Sequence, residues 1–211
     1  MSIQLDKKTG INLKKGSKIS LEKEGIPLQK VCIGLNWGRI RRKGLLSVFG
    51  GTSVDLDGSV CLFDGKNNLL DTIYYRQLRS RDKAVIHSGD DLDGDLYGDD
   101  GKDNEVIQIN LKKLNSEVKN LFFILNSFKK QDFATIPYAK IRIYEGTPQK
   151  VKHVLATFNV SADPKYSGYV SMVMAQLTRK PDKRWEFVSI GDPVPERNLA
   201  KTIQAIEKRY V

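Results

Sequence analysis

Apolar and polar positions alternate with period two along most of the middle and later chain. Residues 54–63 read Val-Asp-Leu-Asp-Gly-Ser-Val-Cys-Leu-Phe, alternating before they turn apolar, and residues 106–111 (Val-Ile-Gln-Ile-Asn-Leu) largely alternate. Such alternation predicts strands with one buried face. The short apolar run 121–125 (Leu-Phe-Phe-Ile-Leu) suits a strand covered on both faces. Residues 139–144 have period two with β-branched side chains and lead into Glu-Gly-Thr-Pro, a turn signal. Further strands are expected over 151–160, 169–178 and 184–190, with shorter ones over 18–21 and 31–35. Helical spacing is scarce. A turn or two is expected over 112–118. Beyond Pro195, Leu199, Ile203, Ile206 and Tyr210 fall on one face, with Lys201, Lys208 and Arg209 on the polar side. This predicts an amphipathic helix over about 196–210. Many short strands separated by turns predict an all-β fold: a two-sheet β-sandwich with few short helices and a C-terminal amphipathic helix packed on the sheets. No repeat, low-complexity tract or linker divides the 211 residues, so a single domain with its core over about 15–195 is expected.

Composition adds little until charge is mapped along the chain. An apolar content of 40% with 28% charged residues is that of an ordinary globular protein. No run approaches the ~20 apolar residues of a membrane span, and the first residues lack the succession of a signal peptide, so a cytoplasmic protein is expected. Cys32 and Cys61 each sit in an apolar stretch and read as small buried hydrophobes. The net charge of +10 is unevenly spread. Residues 1–51 carry 11 basic and 3 acidic side chains, residues 52–105 carry 6 and 13, and residues 106–211 carry 18 and 9. The chain is a basic body with an acidic middle.

That acidity is concentrated in the segment running from His87 to Glu105. Between Asp90 and Glu105 stand eight carboxylates and one base, Lys102, with glycines at 89, 94, 98 and 101. Anionic oxygen donors on a backbone that can curve tightly suit calcium, which takes six to eight oxygens at loosely constrained angles. Magnesium demands stricter geometry, and zinc or copper would need a Cys or His cluster that is absent here. Upstream, Asp55 and Asp57 fall on one face of a strand, roughly 7 Å apart by the strand rise. Two like charges so placed favour solvation or a shared cation. The EF-hand pattern does not account for the loop. Counted from Asp91, position six is Leu96 and position twelve is Lys102. Counted from Asp93, Gly98 falls correctly but Tyr97 and Asn104 stand at five and twelve. A start at Ser53 aligns Asp55, Asp57, Gly58 and Asp64, but 59–63 reads as strand.

Several of these segments together resemble the TerD family of tellurium-resistance and stress proteins. Val54-Asp-Leu-Asp-Gly-Ser59 is similar to its VDLDAS-like strand, His87-Ser-Gly-Asp90 to the start of its acidic loop, and Asp103-Asn-Glu-Val-Ile107 to the loop's end. Phe133-Ala-Thr-Ile-Pro-Tyr-Ala-Lys-Ile-Arg-Ile143 and Trp185-Glu-Phe-Val-Ser-Ile-Gly191 resemble two of its later strands. The resemblance implies a two-sheet sandwich whose acidic loops bind calcium in a stress response. Carried over position by position, it implies Asp55 and Asp57 from the strand; Asp90, Asp91 and the Gly94 carbonyl from the start of the loop; and Asp103, Asn104 and Glu105 from its end. Asp91 and Asn104 depart from the commoner family residues, and 96–102 looks enlarged. Asp93, Asp95, Asp99 and Asp100 are therefore further candidates, with one or two calcium ions expected.

The same sequence carries features of other function classes. The basic run 39–43 and Arg76, Arg79 and Arg81 offer phosphate contacts, but no nucleic-acid-binding signature accompanies them. Lys7-Lys8, Lys14-Lys15 and the basic C-terminal helix suit an anionic membrane surface, such as the inner membrane face. With His87 and His153 the sole histidines and no nucleophile elbow, P-loop or HExxH motif, an enzyme is not expected. His87 is expected to hydrogen-bond backbone. The sequence therefore predicts a calcium-loaded interaction module with a protein partner in a stress-response complex; the alternative is a basic protein that binds nucleic acid or anionic membrane.

Overall fold

The computed structural model describes residues 10–40 and 51–210. In chain order its strands are β1 (Ile11–Asn12), β2 (Lys18–Ser20), β3 (Glu22–Lys23), β4 (Ile26–Pro27), β5 (Lys30–Trp37), β6 (Leu56–Phe63) and β7 (Leu69–Ile73). There follow β8 (Val85–His87), β9 (Glu105–Asn110), β10 (Asn120–Ser127), β11 (Tyr138–Thr147), β12 (Lys150–Ser161), β13 (Ser171–Arg179) and β14 (Trp185–Val194). Helix α1 (Leu199–Arg209) closes the chain. Two six-stranded sheets form the sandwich. The first has the order β1-β12-β11-β5-β9-β8 and the second β2-β14-β13-β10-β6-β7; β3 and β4 make a small hairpin. Apart from the parallel β1–β12 contact, the strands pair antiparallel.

Alternation decides which side chains meet. Val31, Ile33, Leu35 and Trp37 of β5 and Ile107 and Ile109 of β9 pack against Leu56, Val60 and Leu62 of β6 and Leu121, Phe123 and Leu125 of β10. The opposite register of β6 and β10 sends Cys61, Phe63, Phe122 and Ile124 to the outer face of the second sheet, where they form a second cluster with Ile203 and Ile206 of α1. This explains why 121–125 reads as continuously apolar: sheet covers one face and helix the other. Burying Ile203 and Ile206 there contributes on the order of 1.5–3 kcal/mol each. Asn198 caps α1 by accepting from the Lys201 N–H, and Lys208 and Arg209 lie in its last turn, where cations favour the helix dipole. Both cysteines are free and buried on opposite sheets, and burial pushes the Cys32 thiol up to about 11.

Residues 112–118 form tight turns and no helix. Asn110 accepts from Leu114 N–H through its carbonyl and from Lys113 N–H through its side chain, and the Asp82 carboxylate takes Asn115 N–H. These side-chain acceptors end the turn before it can propagate. Strands β7 and β8 were not expected from the sequence. Lys7, Lys8 and the basic run past Ile40 lie outside the described residues. Among the described residues no helix is long and apolar enough to cross a membrane.

Candidate metal centre

The strongest acidic cluster forms where β6 begins. Asp55 lies just before the strand and Asp57 within it, on the same face, and Asp90 comes from the loop after β8. One carboxylate oxygen from each lies within 4.8 Å of the others. Asp55 is 4% exposed, Asp57 is half-buried and Asp90 is open to solvent. Burial raises the Asp57 carboxyl to about 7, and Asp55, Glu105 and Asp90 add to the shift; burial also raises Asp55. The nearest base is Lys129, whose Nζ lies 3.8 Å from Asp55 Oδ2 and donates to Leu92 O and Ser53 Oγ at 3.1 Å.

The other residues singled out by sequence hold the loop in place. Glu105, fully buried at the start of β9, points into the sandwich opposite Gly58. Its Oε2 accepts from Gly58 N–H at 2.8 Å, and its Oε1 accepts from Asp91 N–H at 3.3 Å. His87 Nδ1 accepts from Gly89 N–H, which leaves the ring proton on Nε2, 3.1 Å from Gly58 O and 3.3 Å from Glu105 Oε2. Since β7 pairs with β6 only from Val60 onward, these two side chains of the first sheet take the main-chain N–H and C=O of Gly58 in the second. A Cβ at Gly58 would stand 2.3 Å from Glu105 Oε2.

Asp103 sits on the outer face of the first sheet. Gly34 makes room for it, since a Cβ there would lie 2.2 Å from its carboxylate. Arg142, cross-strand from Gly34, grips both carboxylate oxygens at 2.7 and 3.0 Å. Asn104 Oδ1 accepts from Trp37 N–H at 2.8 Å. Asp91 Oδ1 accepts from the N–H groups of Asp93 and Gly94. Gly94 has φ +71, packs on Trp37, and its carbonyl accepts from Arg39 Nε at 3.1 Å.

Of the further candidates, Asp95 is taken by Asn36, Tyr138 and Asn104, Asp93 pairs with Arg39, Asp99 with Lys140, and Asp100 lies 3.9 Å from Lys102. The structure thus divides the predicted set. Asp55, Asp57 and Asp90 come together, while Asp91, Gly94, Asp103, Asn104 and Glu105 bond chiefly to protein groups. Sequence reasoning missed Arg39, Lys129, Lys140 and Arg142 as partners. An isolated glycine inside each of β5 and β6 was the available signal, since such a residue marks close approach.

Three converging carboxylates, with Lys129 beside Asp55 and Lys130 on the Asp57 side, form a hard, anionic oxygen donor set. It fits calcium, which takes hard oxygen donors at loosely constrained angles. The one nearby imidazole is already committed, which leaves nothing for a softer metal.

The TerD domain family model matches residues 9–205. The chain is 36% identical over 191 residues to Tellurium resistance protein TerZ of Serratia marcescens, covering 90% of this chain and 93% of that protein. It is 33% identical over 214 residues to Stress response protein SCP2 of Bacillus subtilis (strain 168), covering 95% and 99%. Among solved structures, a homologue of telluride resistance protein (TerD) from Streptomyces coelicolor A3(2) shares the fold with a TM-score of 0.60, at 15% identity, over 81% of this chain and 92% of that one.

Proposed function

The chain belongs to the TerD domain family of tellurium-resistance and stress-response proteins, and on that premise we propose that it acts by binding calcium at Asp55, Asp57 and Asp90, as a non-catalytic interaction module. The convergence of these three carboxylates carries the reading. Like charges so close, one of them nearly buried, oppose one another until a cation joins them. An ion there ties the start of the acidic loop to β6, while the loop's end is already anchored on the first sheet through Asp103 and Arg142. Ordering is therefore expected chiefly over residues 89–93.

Exposed Leu92 and Phe128 flank the cluster, and neutralising it would leave an apolar rim suited to a protein partner of a stress-response complex. This observation favours a protein partner over the nucleic-acid and membrane alternatives, which draw on basic residues elsewhere.

Titration calorimetry on chelator-stripped protein tests the reading. Saturable calcium binding that is weakened by Asp55→Asn, Asp57→Asn and Asp90→Asn is expected, with slower amide exchange over 89–93. Calcium at a hundredfold excess over Kd should stabilise the fold by roughly 2.7 kcal/mol. Absence of calcium binding by the parent protein sinks the proposal, and unchanged amide exchange on binding sinks the ordering mechanism.

A further inference from the structure

On the outer face of the second sheet, between Asp57 and the start of α1, lies a cavity of about 230 Å³. Its floor comes from β6 and its neighbour β10. Ser59, two residues from Asp57 and on the same face of β6, is 1% exposed, and its Oγ has no hydrogen-bond partner. Asn126, paired with Asp57 across the ladder, donates through Nδ2 to Ser171 Oγ and Thr202 Oγ1, which leaves its Oδ1 unpartnered and buried. Ser127, the next residue of β10, also lines the cavity, and its Oγ is likewise unpartnered. Buried polar atoms are rarely left without a partner, so three among the residues of one cavity point to something that fills it.

The remaining lining has the chemistry of an anion site. Lys130 and Arg197 stand at its rim; Lys130 Nζ donates to the Arg197 carbonyl, and neither side chain forms an ion pair among the described residues. Asn198 and Leu199 bring the N-terminus of the eleven-residue helix α1 to the wall. Asn198 caps the Lys201 N–H, which leaves the Leu199 and Ala200 N–H groups for an anion. Tyr74 and Tyr75 supply half-buried aromatic walls, and the exposed Phe128 stands at the mouth.

We propose that this cavity binds a small, hydroxyl-bearing organic phosphate. The phosphoryl oxygens accept from Lys130, Arg197, the helix amides and the Ser59 hydroxyl, and a ligand hydroxyl donates to Asn126 Oδ1. A bare anion leaves Asn126 unsatisfied and a neutral polyol leaves the cations unused, so the two functions are needed on one molecule. The volume holds a phosphate with a short polyol chain. Asp57 borders both this cavity and the carboxylate cluster, and its charge opposes an anion. On the calcium reading, a cation at the cluster removes that opposition, so each ligand tightens the other's binding by the same factor.

Glycerol phosphate is the probe, titrated into ¹⁵N-labelled full-length protein in chelator and again in calcium. Saturable amide shifts confined to Ser59, Asn126 and the first turn of α1 are expected, with weaker binding of inorganic phosphate and none of glycerol. Lys130→Gln should weaken binding about tenfold, and Ser59→Ala by a few-fold to about tenfold. Urea denaturation of both variants separates a binding effect from a folding one, because Lys130→Gln also removes the bond to the Arg197 carbonyl and Ser59 is buried in the sheet. Absence of saturable shifts, or shifts insensitive to both substitutions, overturns the assignment and marks the cavity as water-filled. Calcium binding without glycerol phosphate binding defeats this inference alone. Glycerol phosphate binding in a protein that takes up no calcium defeats the metal reading alone.

Discussion

Substituting Gly58 by alanine probes the junction between the two sheets. The added methyl would lie 2.3 Å from Glu105 Oε2 and 2.5 Å from Leu35 Cδ1, each about 1 Å inside ordinary contact. Neither neighbour has room to retreat: Leu35 is fully buried, and Glu105 is held by Gly58 N–H and His87. Overpacking of this kind costs about 1–3 kcal/mol, and disturbing the charge-assisted bonds of a buried carboxylate adds about 1.5–3 kcal/mol. Gly58→Ala is therefore expected to destabilise by about 3–5 kcal/mol, a fall in Tm of roughly 6–20 °C for a domain of this size. Urea denaturation with matched m values measures it. Gly65→Ala is the control, since its Cβ would meet nothing nearer than Lys119 Cγ at 3.4 Å. Because Glu105 also holds Asp91 N–H, the variant should weaken calcium binding as well. A Gly58→Ala protein within about 0.5 kcal/mol of its parent, a change typical of an innocuous surface substitution, would refute the account of this junction.

Arg142→Ala strands the buried Asp103 carboxylate and should destabilise by about 3–5 kcal/mol; Asp103→Asn in that background should recover part of the loss, and its failure to do so would remove the pairing argument. Without calcium, the folded state holds the Asp57 proton more tightly than the unfolded chain does. Stability should therefore fall as pH rises from the ordinary aspartate range through about 7, with Asp55 and Glu105 acting in the same sense. Denaturation at pH 5.5 and 8 should show this slope in the parent and a flatter one in Asp57→Asn; equal slopes would contradict it. Lys129→Gln removes the cation beside Asp55 and should tighten calcium binding about threefold at low salt, an effect that calorimetry would find missing if Lys129 lies too far from the ion to matter.

Period-two patterning made the sandwich legible, because each long strand buries one face in the shared core. The amphipathic stripe of Leu199, Ile203, Ile206 and Tyr210 likewise announced α1. Strand β8 has only three residues, too few to display a period, and β7 alternates weakly because Leu69 and Leu70 are adjacent. The acidic loop was visible as composition, but which carboxylates converge was not. That choice depends on Arg142, Lys140 and Trp37, which lie distant in sequence and arrive through sheet register. Asp103 and Asp90 look alike along the chain. One lies over a strand glycine beside an arginine, and the other is exposed and joins Asp55 and Asp57.

The outward face of β6 passes from Asp55 and Asp57 through Ser59 to Cys61 and Phe63, while its inward face is Leu56, Gly58, Val60 and Leu62. A slip of one residue would turn two carboxylates into the core and carry Leu56, Val60 and Leu62 to the outward face, which α1 covers only toward Cys61 and Phe63. Burying an unpaired charge opposes folding by several kcal/mol, so the misaligned ladder is disfavoured long before the core is complete. The carboxylates proposed as the binding site thereby also police the alignment of the strand. Neutral variants such as Asp57→Asn would relax that safeguard, and their folding yield would fall through mispaired, aggregation-prone chains even where the native state gains stability.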